Sequence, residues 1–297
     1  MESTTPNRRS FIKQTGITLS ATAFLGLSPL ACQSQEELTI QGAIDIIMAQ
    51  VPVEKNPDTV DTIKSSTGDQ KLTGIVTTFL ATIEVIRAAI DKNANLIITH
   101  EPTYYNHRDE VEWLKEDPVY EYKRNLLEEN NIVVWRFHDY WHKVRPDGIL
   151  QGFINAMGWQ GFLNTKIENA CFIPKTTMKE LASFLKRQLK LDRCFYIGDP
   201  ELACSSIGML PGSWGREKHI DLLRKDIDVL IIGEAAEWET VEYVRDASMA
   251  GMKKGLIILG HANSEEPGMF YLVEWLGRFL PQVPIFHVPA RDPFVPV

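Results

Sequence analysis

Short apolar runs alternate with amphipathic segments along most of this chain, and that alternation constrains its fold more than any other feature. Residues 72–79, 95–99, 132–137, 170–173, 193–197, 204–210, 228–232, 256–259 and 284–288 read as strands. Their brevity and their Val, Ile and aromatic content suit a pleated, buried surface. Between them, residues 82–92, 119–129, 177–189, 217–224, 236–247 and 269–279 read as helices. In the first of these Ile83, Ile86, Ala89 and Ile90 share one face. Thr176 is the expected N-cap of the third. Strands alternating with helices predict an α/β fold, with helices layered on the sheets. The stretch 153–162, preceded by Gly152 and containing Gly158 and Gly161, is a candidate boundary.

Residues 1–32 read as an address rather than as part of the fold. Asn7-Arg8-Arg9-Ser10-Phe11-Ile12-Lys13 resembles the twin-arginine export signal. A disordered basic tail is the alternative. The following segment, 15–31, is too short and too polar for a permanent membrane anchor. Leu30-Ala31-Cys32 looks like a lipoprotein processing site, although Pro29 stands where an aliphatic residue is usual, and signal cleavage nearby is the other reading. The expected location is therefore periplasmic, or at a membrane held only through a lipid on Cys32.

Composition matters mainly for what it excludes. The net charge is −8, with 39 Asp and Glu against 31 Lys and Arg. Such a surface repels phosphate backbones, so no nucleic-acid partner is expected. Besides Cys32 the cysteines are Cys171, Cys194 and Cys204, none of them in a Cys-x-x-Cys pair, so a thiolate metal site is not expected. Cys194 and Cys204 either pair in an oxidising compartment or, with Cys171, are free thiols.

Four of the seven histidines fall in three short segments, each after an apolar run. The segments are His100-Glu101-Pro102, His138-Asp139-Tyr140-Trp141-His142, and Gly260-His261-Ala262-Asn263-Ser264-Glu265. Open α/β sheets build their sites at the carboxyl ends of strands, so adjacent strand ends would bring these groups together. Imidazole with carboxylate favours Zn, Mn, Fe, Co or Ni. His261 and Glu265 are four residues apart, as are His138 and His142, so one helical turn puts each pair on one side. Taken singly, each residue reads equally as a strand-end cap, an aromatic-cluster member or a solvated acid. Taken together, the three segments point to a metal.

These segments, in this order, resemble the NIF-three-like family, also labelled GTP cyclohydrolase I type 2-like, from about Ile40 to the C-terminus. The family's strand followed by His-His-Pro corresponds to Ile97-Ile98-Thr99-His100-Glu101-Pro102. Its His-x-x-x-Asp corresponds to His138 and His142, its Gly-Glu to Gly233-Glu234, and its Gly-His-x-x-x-Glu to Gly260-His261 and Glu265. Two positions depart: Glu101 replaces a His and His142 replaces an Asp, a reciprocal exchange of one imidazole and one carboxylate.

The resemblance implies two similar α/β domains, the second inserted in the first: 39–150 with 256–297, and 151–255. It implies two divalent metal ions held by His100, Glu101, His142, His261 and Glu265, with His138 as a further ligand or supporting group. A homohexameric ring is implied as well. The expected function is metal-dependent hydrolysis of a small molecule other than GTP, with Glu234 or Glu237 as general base or supporting group. GTP is disfavoured because the leader sends the chain out of the cytoplasm and no Gly-x-x-x-x-Gly-Lys loop is present. A non-enzymatic metal-binding or scaffold ring is the alternative.

Overall fold

The computed structural model describes residues 37–54 and 56–295; the twin-arginine segment and Cys32 lie outside the described residues. In chain order the first elements are α1 (Ile40–Met48), β1 (Ile75–Thr78), α2 (Ile83–Asp91), β2 (Leu96–Thr99), α3 (Pro118–Glu129), β3 (Val133–Arg136), α4 (Asp139–Lys143) and α5 (Gly148–Met157). Then come β4 (Ala170–Thr177), α6 (Met178–Gln188), β5 (Phe195–Ile197), β6 (Ala203–Leu210), α7 (Gly215–Leu223) and β7 (Val229–Ile232). The chain closes with α8 (Glu242–Met249), β8 (Gly255–Ile258), α9 (His261–Gly277) and β9 (Ile285–His287).

Two sheets carry the fold. One is wholly parallel, ordered β3-β2-β1-β9, with Ile75 beside both Leu96 and Ile285. The other is mixed, ordered β4-β6-β7-β8-β5; β6, β7 and β8 are parallel, and the edge strands β4 and β5 run antiparallel. Every residue of β1, β2, β3 and β7 is buried. Both faces of these strands are covered, which is why they read as continuous apolar runs rather than alternating ones.

The side chains divide by strand periodicity. Ile75, Leu96, Ile98 and Trp135 pack with α1, α4 and α9, whereas Val76, Ile97 and Val134 pack with α2 and α3. In the second sheet Val229 and Ile231 face α5 and α6, and Leu230 and Ile232 face α7 and α8.

Helix α5 spans the two groups. Ile149 lies in the core of the first sheet, while Phe153, Ile154 and Met157 lie in that of the second. It crosses α9 so closely that a Cβ on Gly152 would fall 2.4 Å from the Gly268 Cα. The candidate boundary stretch 153–162 begins inside this packed helix. The boundary expected after residue 150 falls inside α5, and the one expected after 255 falls inside β8, which is hydrogen-bonded to β7. The second sheet therefore runs through Ile258, and the chain leaves it at Gly260.

Two local expectations are corrected. The N-cap of α6 is Thr177, in a capping box with Glu180; Thr176 instead donates its hydroxyl to the Glu180 carboxylate at 2.9 Å. Helix α9 begins at His261, eight residues before Met269, although Pro267 lies within it. Proline is an interior helix breaker, so the local pattern argued for a later start. Helices α1, α4 and α5 had no predicted counterpart. Cys171, Cys194 and Cys204 are free, the first and last buried. Among the described residues no helix is long and apolar enough to cross a membrane.

Candidate metal centre

The carboxyl ends of strands from both sheets meet at one place, as open α/β sheets predict. β2 ends at Thr99 and delivers His100 and Glu101. β3 ends at Arg136 and leads to His138, the N-cap of α4, whose last turn carries His142. From the other sheet β8 passes through Gly260, at φ 95°, to His261 in the first turn of α9, with Glu265 one turn further on.

All six expected ligands converge. The His100 ring lies 4.6 Å from that of His138 and 4.9 Å from that of His142, centroid to centroid. Two sets have ligating atoms within 4.8 Å of one another: His100, His138 and His142, and His100, Glu101 and Glu265. His261 Nε2 is 3.2 Å from Glu265 Oε2 and 3.7 Å from Glu101 Oε1.

The histidines are oriented alike. Nδ1 faces an oxygen in each: Phe137 O at 3.4 Å for His100, Asp139 at 3.0 Å for His138, Asp147 at 2.9 Å for His142, and Glu234 at 3.5 Å for His261. An Nδ1–H donated to such an oxygen leaves the Nε2 lone pair for an ion.

His100 is wholly buried and Glu265 is 3 % exposed, yet His100 Nε2 and Glu265 Oε2 have no hydrogen-bond partner. A buried polar atom without a partner costs about 1–3 kcal/mol, so two that face each other need an explanation. A divalent ion satisfies both at once, and the donor set fits one. Burial, with the charges of His142 and His138, holds the His100 pKa well below its usual range, which keeps it in the neutral form that ligates.

The other candidate donors answer to different neighbours. Burial pushes the Glu101 carboxyl up, but His138, Arg136 and His261 together outweigh it and leave its pKa lowered. Burial likewise opposes charge on His261, yet the carboxylates of Glu234, Glu265 and Glu101 raise its pKa to about 10. Glu234 is more than half exposed and supports the His261 ring from outside the ligand sets. Its pKa is lowered chiefly by that contact.

Several residues that shape the site were not found from sequence. Arg136 is fully buried and donates to His100 O at 3.0 Å, to His107 O, and to Glu101 Oε2 at 2.9 Å. Its signal was a charge at the end of an otherwise apolar strand. Asp61 accepts the backbone N–H groups of His138, Asp139 and Tyr140 at 2.8–2.9 Å and so fixes the start of α4. Asp147 both orients His142 and caps α5. Gly212 lies against Glu265: a Cβ there would sit 1.9 Å from Glu265 Oε1. Ser264 accepts the Gly212 N–H at 2.9 Å and donates to His261 O. Beside the candidate donors opens a cleft of about 1040 Å³, with Glu101, His261 and Glu234 in its lining.

The Duf34/NIF3 (NGG1p interacting factor 3) family model matches residues 45–293. The chain belongs to the NIF3 family. Two relatives, both named GTP cyclohydrolase 1 type 2 homolog, come from clostridia. That of Clostridium acetobutylicum is 26 % identical over 245 residues, 78 % of this chain and 87 % of the relative. That of Clostridium perfringens is 25 % identical over 271 residues, 86 % of this chain and 99 % of the relative.

Solved structures share the fold. A hypothetical protein of Staphylococcus aureus superposes with a TM-score of 0.72 at 17 % identity, covering 88 % of this chain and all of its own. A Bacillus cereus protein related to NIF3 gives 0.71 at 13 % identity, covering 87 % and 99 %. Reduced HcgD of Methanocaldococcus jannaschii gives 0.60 at 14 % identity, covering 84 % and 97 %. In this NIF3-family chain both exchanged positions stay among the clustered donors, Glu101 beside His100 and Glu265, and His142 beside His100 and His138.

Proposed function

We propose that this NIF3-family protein is a metal-dependent hydrolase of a small molecule, built on a dinuclear His/Glu centre. The observation that carries the reading is the buried, unpartnered pair of His100 Nε2 and Glu265 Oε2, 3.5 Å apart and flanked by four more donors. His100 offers one lone pair and serves one ion only. Glu265 has two oxygens, and its Oε2 also faces His261. Together with His138, His142, Glu101 and His261, these two residues would hold the ions. Bound divalent ions supply Lewis acidity and an activated water at neutral pH. The chain's own part is to fix those side chains, and Glu234, beside His261 at the cleft, is placed to take a proton from water.

GTP is not the substrate in this reading, although the relatives carry that word in their names. The leader motif supports export by the twin-arginine route to the periplasm, with Cys32 as a lipid attachment point. The family supports a homohexameric ring and an inserted second α/β domain, drawn around the two sheets.

A second reading has one observation behind it. Arg136 occupies one oxygen of Glu101 at 2.9 Å, which leaves that carboxylate poorer as a ligand than the histidine it replaces. A non-enzymatic metal-binding ring with a single ion per chain follows from that. Metal analysis by mass spectrometry, on protein purified without chelators, decides between them. About two ions per chain, lost in the His261→Ala, Glu265→Ala double variant, with turnover that follows the metal, supports the hydrolase. One ion without turnover supports the binder, and none after soaking in Zn, Mn, Fe or Ni sinks both.

A further inference from the structure

We propose that the centre is chemically divided. A nitrogen-preferring divalent ion such as Zn or Cu belongs on His100, His138 and His142, and an oxygen-preferring ion such as Mn(II) belongs on the side of Glu101 and His261. This names the metals of the dinuclear centre proposed above and rests on it.

The two donor sets differ in kind. One is three imidazoles, His100, His138 and His142; the other is one imidazole and two carboxylates, His100, Glu101 and Glu265. His100 has a single free nitrogen to give, and its ring lies against those of His138 and His142. With His100 counted there, the first side is all nitrogen. The second keeps Glu101 and takes His261, whose Nε2 lies 3.7 Å from Glu101 Oε1 and 3.2 Å from Glu265 Oε2. Glu265 stands between the sides, its Oε2 also 3.5 Å from His100 Nε2. Imidazole suits Zn, Cu and Ni, whereas carboxylate suits Mn and Mg.

Two residues make the division. With His at 101 and Asp at 142, each set would hold two imidazoles and one carboxylate. The exchange of Glu101 with His142 concentrates nitrogen in one set and oxygen in the other.

The surroundings sharpen the difference. Asp139 faces Nδ1 of His138 at 3.0 Å, and Asp147 faces Nδ1 of His142 at 2.9 Å. A carboxylate behind an imidazole makes the opposite nitrogen a stronger donor. On the other side Arg136 holds Glu101 Oε2 at 2.9 Å, so Glu101 offers one oxygen, Oε1. That oxygen faces His138 Nε2 at 3.5 Å as well as His261, so substitution must show which ion it serves.

The test uses the metal-free full chain and reads binding rather than turnover. With one equivalent of Cu(II) added, pulsed electron paramagnetic resonance counts the imidazoles on the ion. We expect three in the wild type. We expect two in His142→Asn and in His138→Asn, with Cu(II) bound at least about tenfold more weakly. Mn(II) is then titrated into the chain already holding one Zn(II), and the loss of its free-ion signal is followed. One Mn(II) is expected to bind. Glu101→Gln, which keeps an oxygen for Arg136, is expected to weaken Mn(II) by at least about tenfold and leave the count on Cu(II) at three. Three outcomes overturn the division while leaving a centre of two ions standing: fewer than three imidazoles on the first Cu(II), Mn(II) filling both places of the metal-free chain equally well, or Glu101→Gln weakening Cu(II) and not Mn(II). Fewer than two ions bound in every combination overturns the dinuclear reading, and the division with it.

Discussion

His100 Nε2 and Glu265 Oε2 face each other across 3.5 Å at the junction of the two sheets, and neither is hydrogen-bonded. An ion that binds the folded protein alone stabilises it by mass action, about 2.7 kcal/mol at a hundredfold excess over Kd. For a chain of this size that raises Tm by roughly 5–10 °C. Scanning calorimetry with and without Zn or Mn should show the rise, and His100→Ala should abolish it. An equal rise in the variant would show that the ion binds elsewhere.

Gly212→Ala should remove metal affinity without touching a ligand. The residue has φ +87°, which L side chains adopt at a cost of about 1–2 kcal/mol, and its Cβ would overlap Glu265 Oε1 at 1.9 Å. Glu265 must swing away or the loop after β6 must move. We expect a loss of about 1–3 kcal/mol in urea unfolding and at least a tenfold weaker metal Kd. A variant that keeps wild-type affinity would mean that Glu265 is not a ligand.

Arg136→Met should be among the most destabilising single changes in the first sheet. Arg136 is 0 % exposed and is bonded to two backbone carbonyls and to Glu101. Removing one member of a buried ion pair costs about 3–5 kcal/mol, because the other charge is left uncompensated. Arg136→Lys keeps the charge but not the fork of donors, and should lose less. Denaturant midpoints check both. A loss below about 1 kcal/mol for Arg136→Met would show that Glu101 finds another partner.

His219 should make stability fall in mild acid. It is 1 % exposed, pairs through Nδ1 with Thr240 Oγ1 at 3.0 Å, and burial lowers its pKa from 6.5 to about 4. Between those values the unfolded chain holds a proton that the folded chain refuses, so stability is complete above about pH 6.5 and declines as pH falls toward 4. The decline from pH 7 to pH 5 is about 2 kcal/mol from this group alone. Unfolding curves at the two pH values, compared with His219→Gln, isolate it. The same slope in both proteins would assign the acid sensitivity to other groups.

The strand ends were legible because the signals there are local. Leu96, Ile97 and Ile98 are buried on both faces, so they form an unbroken apolar run, and the polar residues that follow mark where the strand leaves the sheet. The pairing of His261 with Glu265 needed only the helical repeat. The start of α9 was missed because Pro267 contradicts a helix locally, and α5 because its apolar residues serve two cores and show no single face.

By itself, then, the sequence determined the alternating α/β elements, the identity of the six candidate donors and the exchange of Glu101 with His142. Tertiary structure decided which donors share a set, that Arg136 holds one oxygen of Glu101, that Asp61 anchors the start of α4, and that Gly212 leaves room for Glu265. The division has a physical cause. Periodicity and capping act over a few residues of chain, whereas the partners of a buried charge come from whichever distant segments the sheets bring beside it.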